Sequence, residues 1–124
     1  MNEARIRRGV QARRDGRRAE IICALWLMAK GYRILGLRLK TPLAEIDVLA
    51  RKGGVLSVVE VKRRTDLATA LEAVGPRQRQ RLIRAAQWLA AARPELSDAS
   101  VRLDLIALAP GRWPRHIRDA WRDC

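Results

Sequence analysis

Residues 44–64 read AEIDVLARKGGVLSVVEVKRR, and this stretch constrains the fold more than any other. Two apolar runs flank Lys52-Gly53-Gly54, and a Gly-Gly pair between such runs predicts a β-hairpin. Side chains alternate across a strand. Ile46, Val48 and Ala50 are therefore expected on one face of the first strand, with Glu45, Asp47 and Leu49 on the other. On the second strand Leu56, Val58, Glu60 and Lys62 share a face opposite Val55, Ser57, Val59 and Val61. Glu60 then lies beside Lys62, with Asp47 on the neighbouring strand. Ionised groups in so apolar a hairpin are costly to bury unless they are paired or bind a metal. Two carboxylates and an ammonium on a sheet suit a Mg²⁺ site for phosphodiester chemistry.

The elements around the hairpin follow from periodicity and punctuation. Over residues 17–30, Ile21, Ala24, Leu25 and Met28 recur at helical spacing, which predicts a helix with those residues on its buried face and Gly31 as its stop. Glu20 falls in the first turns of that helix, where a carboxylate suits the helix dipole without any chemistry. Residues 32–39 (YRILGLRL) predict a strand with a bulge at Gly36, ended by Thr41-Pro42. Residues 65–74 read as a loop with one helical turn. Residues 76–92 predict a second helix opened by Pro76, with Leu82, Ala85, Ala86, Leu89 and Trp88 in the core. Residues 101–109 (VRLDLIALA) read as a buried strand, and residues 113–121 as an edge strand or short helix. His116 is the single histidine, so a multi-histidine metal site is excluded.

The order helix, three strands, helix, strand predicts a mixed α/β protein with the hairpin inside the sheet. It lacks regular βαβ alternation. The chain has no glycine-rich phosphate loop and no serine-elbow motif, so neither nucleotide hydrolysis nor serine-hydrolase chemistry is supported. At 124 residues it suffices for one domain. Cys23 and Cys124 form neither a zinc pattern nor a disulfide framework. No apolar run has membrane-spanning length, and the Arg-rich start lacks the features of a secretory signal. A cytoplasmic location and no membrane partner are the expectations.

Charge then narrows the partner. The chain carries 26 basic and 13 acidic residues, a formal net of +13. Of the basic residues 22 are Arg and 4 are Lys, and the guanidinium fork suits bidentate phosphate contacts. Nucleic acid is the expected partner. Residues 1–15 form a basic N-terminal arm that includes Arg13 and Arg14. The second helix carries Arg77, Arg79, Arg81 and Arg84, a face that is either solvated or phosphate-binding.

Asp47 followed by Glu60-x-Lys62 resembles the PD-(D/E)XK nuclease core. Further matches are Ala19-Glu20, Ala24, Gly31-Tyr32-x-Ile34-Leu35, Glu45-Ile46-Asp47, Val59-Glu60-Val61-Lys62-x-Arg64, Arg81, Ala86, Arg102-x-Asp104 and Ala120-Trp121. By these the chain is identified as a member of the YraN family of small bacterial proteins, which is similar to archaeal Holliday junction resolvases. Ala19 and Ala44 depart from the family's usual Gly, Arg38 from its common Asn, and Gln78 from its common Lys. The resemblance implies a restriction-endonuclease-like αβββαβ core over residues 16–124. It implies that Asp47 and Glu60, with the Val61 carbonyl, hold Mg²⁺ or Mn²⁺. Lys62 would stabilise charge or orient water, and Glu20 would complete the site. The activity it implies is a metal-dependent endonuclease on DNA, including branched DNA, with a homodimer by analogy. The alternative is a nucleic-acid-binding protein that kept the fold without the chemistry, its carboxylates and lysine forming a buried ion-pair cluster.

Overall fold

The computed structural model describes residues 3–122, with side chains described from Gly16 onward. Its centre is the hairpin. Strands β1 (Arg33–Lys40), β2 (Glu45–Lys52) and β3 (Val55–Arg63) form an antiparallel meander. Gly53 closes the tight turn between Lys52 and Val55 with φ +58, a left-handed conformation that glycine adopts without a Cβ penalty. The register slips between Ile34 and Gly36, so the expected bulge in β1 is present. A Cβ on Gly36 would lie 2.7 Å from the Leu39 side chain, so any larger residue there would force Leu39 to shift.

β3 pairs in parallel with β4 (Ser100–Leu108), and β5 (Arg115–Ile117) closes the far edge antiparallel to β4. The sheet order is β1-β2-β3-β4-β5, with the hairpin in its middle. A parallel pair needs a long crossover. Here it is supplied by a short helix α2 (Leu67–Glu72), the long helix α3 (Pro76–Ala92) and a 3₁₀ turn (Pro94–Leu96). The single helical turn expected in residues 65–74 is α2, capped by Asp66, which accepts from the Thr69 N–H and hydroxyl.

One helix covers each face of the sheet. α3 lays Leu82, Ala85, Ala86 and Leu89 onto Ile46, Leu49, Leu56 and Val58. Losing the fully buried Leu82 side chain is worth about 2–5 kcal/mol as a Leu→Ala change. Helix α1 (Glu3–Ala29) lays Cys23 and Leu27 onto Val48, Ala50, Val59 and Ile106. The helix expected from residue 17 therefore starts at Glu3, and the backbone of the basic arm continues it. The side chains of Arg13 and Arg14 lie outside the described residues.

Three packing expectations need correction. The buried face of α1 is Ala19, Cys23, Ala24 and Leu27, whereas Ile21, Leu25 and Met28 are 49%, 59% and 55% exposed. Helix α1 is apolar around most of its C-terminal half, so spacing alone does not select a face. The sheet takes the side with small residues, where helix and strands approach closely. Trp88 is half exposed rather than core, because Ala85, Ala86 and Leu89 already fill the α3 seam. Ile46 packs with Leu49 on the α3 side while Val48 and Ala50 pack under α1, so strict alternation fails at the start of β2. That break falls at Asp47.

Candidate functional site

The β2–β3 ladder runs from Lys52↔Val55 to Val48↔Val59. Beyond it the Val61 N–H donates to Asp47 Oδ2 at 3.0 Å. A side-chain carboxylate thus takes the place of a backbone acceptor where the strands part. Asp47 is thereby held against β3 next to Glu60. On the other side of β2, Arg38 of β1 has φ 48, uncommon for a residue with a Cβ. A left-handed residue opposite Asp47 is the kind of local strain that collects at functional positions.

Glu60 is 5% exposed. Burial, and next the charge of Asp47, push its carboxyl up to about 8, with Lys62 acting in the opposite sense. Asp47 is also raised, by burial first, although the Val61 N–H and Lys62 favour its ionised form. Lys62 Nζ lies 4.0 Å from Glu60 Oε2, a long ion pair. Two crowded carboxylates with one ammonium at hand is the grouping expected from Asp47, Glu60 and Lys62.

Glu20 reaches the same place from α1. Asp47, Val61 and Lys62 line one groove of about 270 Å³ with Gly16, Ala19, Glu20, Arg63 and Arg64. Glu20 is engaged there: Arg38 Nε donates to its Oε2 at 2.6 Å. Burial raises the Glu20 carboxyl, and Arg38 opposes that rise. Among the described residues no three His, Cys, Asp or Glu side chains form a ready metal cluster.

Arg77, Arg79 and Arg81 do not line this groove. Arg77 and Arg81 are exposed on α3. Arg79 is half-buried, with its guanidinium 5.6 Å from the Trp121 ring centroid. The basic residues beside the carboxylates are instead Arg63 and Arg64, which directly follow Lys62. A second groove of about 570 Å³ continues from them to Arg18 and Arg112. None of these arginines was expected at the site, although Arg64 belongs to the family motif that follows Lys62.

A second polar cluster has a structural explanation. Asp104 is fully buried and accepts from Ser57 Oγ (2.6 Å), Arg102 Nε (2.8 Å) and the Asp119 N–H (3.0 Å). His116 Nε2 lies 2.9 Å from the same carboxylate. Burial alone would raise Asp104, but His116, Arg102 and Ser57 together hold it well below the usual carboxylate range. His116 must donate through Nε2 to that ion, which leaves Nδ1 to accept from Lys30 Nζ at 2.5 Å. Asp104 is the brace that joins β3, β4 and β5. Cys23 is fully buried with its thiol pushed up to about 12, so it is a packing residue.

Fold and cluster together define a mixed α/β protein of the restriction-endonuclease-like class, with its acidic residues where the central hairpin splays. Residues 19–108 match the profile of "Uncharacterised protein family UPF0102", and the chain belongs to that family, the YraN family indicated by its motifs. It is 68% identical over 114 residues to a UPF0102 protein of Caulobacter vibrioides, covering 92% of this chain and 91% of the relative. A UPF0102 protein of Parvibaculum lavamentivorans is 49% identical over 114 residues, covering 92% and 86%. Among the described residues no helix is long and apolar enough to cross a membrane.

Proposed function

We propose that this protein is a Mg²⁺-dependent endonuclease that hydrolyses phosphodiester bonds of DNA, with branched or otherwise structured DNA as its substrate. The observation that carries this reading is the crowding of Asp47 and Glu60 beside Lys62 at the splayed end of the hairpin. Two carboxylates that each disfavour the other's charge suit a hard divalent cation. Mg²⁺ takes oxygen ligands, binds through one or two carboxylates and keeps several waters, so a third protein carboxylate is not required. Asp47 and Glu60, with the Val61 carbonyl, would hold it, and Mn²⁺ suits the same donors. When bound, the ion supplies positive charge against the phosphate oxygens and lowers the pKa of water.

The protein's own groups do the rest. The Val61 N–H keeps Asp47 oriented. Lys62, whose ammonium lies 4.0 Å from Glu60, places a positive charge where the transition state gains negative charge. Arg63 and Arg64 continue that charge along the groove. Glu20 stands at the groove wall, paired with Arg38. The homodimer and the cytoplasmic location belong to the same proposal.

One observation favours a second reading. Glu20 is occupied by Arg38, and among the described residues no three acidic side chains form a ready metal cluster. That arrangement also suits a nucleic-acid-binding protein without chemistry. A cleavage assay over linear, flapped and four-way DNA, with Mg²⁺ or Mn²⁺, separates the two. Metal-dependent cleavage that Asp47→Asn abolishes supports the nuclease. Tight binding with no cleavage on any substrate overturns it in favour of the binder.

A further inference from the structure

Next to the carboxylate groove lies the larger one of about 570 Å³, and the two share Ala19, Arg63 and Arg64. Its volume falls within the roughly 300–1,000 Å³ of sites that take small organic groups. Ile22, Leu108, Ala109 and Pro110 give it an apolar floor, and Arg18, Arg64 and Arg112 a cationic rim. Trp113 stands between the lining residues Arg112 and Pro114. Its side chain is 79% exposed, and its ring packs on Trp26 with centroids 5.6 Å apart. With Trp26 on one side, most of the Trp113 indole stays open for a further flat ring to stack on.

An apolar floor, an arginine rim and an exposed indole match the parts of a nucleotide: a flat base and a phosphate. A second copy of this chain is disfavoured as the occupant, since it would bring another +13 and a second arginine rim to the same place. Bases in a duplex are stacked and paired, so a base that enters a pocket must come from an unpaired position. We propose that this groove holds one unpaired nucleotide next to the phosphodiester presented to Asp47, Glu60 and Lys62, which rests on the nucleic-acid reading of the same surface. Single strands, flaps and branch points carry such a nucleotide, and an intact duplex does not.

The test is equilibrium binding by fluorescence anisotropy, in EDTA so that cleavage plays no part, to a single-stranded oligonucleotide and to a duplex of equal length. Ala109→Phe fills the floor without altering charge. Ile22→Trp does the same from the exposed side of α1 and serves if Ala109→Phe does not fold, as judged by thermal melting. Stacking on aromatic groups is sequence-tolerant and substantial, so each folded variant is expected to lower the ratio of single-strand to duplex affinity about tenfold. Tryptophan emission should be quenched by single strand in the wild type, and less so in Trp113→Ala. An unchanged ratio in the filled variants, or a wild type that prefers duplex, overturns the proposal. Cleavage is scored separately on the wild type. Absence of cleavage with a lowered ratio ends the nuclease reading and leaves the pocket standing. Cleavage with an unchanged ratio does the reverse.

Discussion

Arg38 Nε donates to Glu20 Oε2 at 2.6 Å, joining an edge strand to the first helix at a residue that lines the carboxylate groove. The pair joins residues eighteen positions apart, and Arg38 itself has φ 48. Gly16 makes room for it, since a Cβ there would lie 2.5 Å from the guanidinium. Arg38→Ala strands a nearly buried carboxylate. Because the Arg38 side chain is 31% exposed, the cost is about 1–2 kcal/mol, well under that of a fully buried pair. Arg38→Asn should cost less than Arg38→Ala, because Asn tolerates the left-handed region. Urea melts of the three proteins check this order.

Asp47→Asn and Glu60→Gln should abolish Mg²⁺-dependent cleavage and weaken Mg²⁺ binding while leaving Tm equal to or above that of the wild type. They keep shape and remove the repulsion between the carboxylates, and residues set for function are often suboptimal for stability. Lys62→Ala should lower the rate more than the metal affinity, since its charge acts in the transition state. Calorimetric Mg²⁺ titration and single-turnover rates on the same preparations distinguish the two patterns. A buried structural ion-pair cluster would instead lose about 3–5 kcal/mol in each variant.

The raised Glu60 carboxyl makes stability pH-dependent with a definite sign. In the unfolded chain it loses its proton near 4.5, and in the folded protein near 8. Between those values the folded state binds the extra proton, so this contribution is complete below 4.5 and is lost as pH rises toward 8. The wild type should therefore lose Tm across that window, and Glu60→Gln should flatten the loss. Mg²⁺ added near pH 8 should restore Tm to the wild type and not to Glu60→Gln.

Asp104 shifts the other way. Its carboxyl is held below the usual range, so its contribution is present above pH 3.8 and disappears as the protein is acidified. Asp104→Ala strips Arg102 and His116 of their shared acceptor inside the sheet. A loss of about 3–5 kcal/mol is expected, read by denaturant unfolding at neutral pH.

Affinity for DNA should fall with salt, with a logarithmic slope of about −0.9 per phosphate contact. Deleting residues 1–14 should flatten that slope by several contacts, and Arg77→Ala with Arg81→Ala by about two. Arg79→Ala should act chiefly on stability, because its guanidinium lies against Trp121. Anisotropy titrations at several salt concentrations read both effects. An affinity indifferent to salt would remove the phosphate-binding reading of these residues.

Local rules carried far where the neighbours that matter are close in sequence. The hairpin, its Gly53 turn, the bulge near Gly36 and the α3 seam of Leu82, Ala85, Ala86 and Leu89 all follow from spacing and turn chemistry. The hairpin brings Asp47, Glu60 and Lys62 to the same end of two paired strands, but Asp47 lies beyond the last ladder pair and is held there by the Val61 N–H. The buried face of α1 was not legible, because Ile21, Ile22, Cys23, Leu25, Leu27 and Met28 leave no polar side to exclude. Close approach to the sheet chose Ala19, Cys23, Ala24 and Leu27 instead.

The sequence by itself determined the order of the core elements and the acidic hairpin, though not the start of α1 at Glu3, because propensity, periodicity and turns act within a few residues. Tertiary structure alone decided that Arg38 reaches Glu20, that Asp104 gathers Ser57, Arg102 and His116, and that Arg18, Arg64 and Arg112 rim one groove. Those side chains come from separate elements. They meet through the twist of the sheet and the way the helices are seated on it, which are set by packing over the whole core and not by any local pattern.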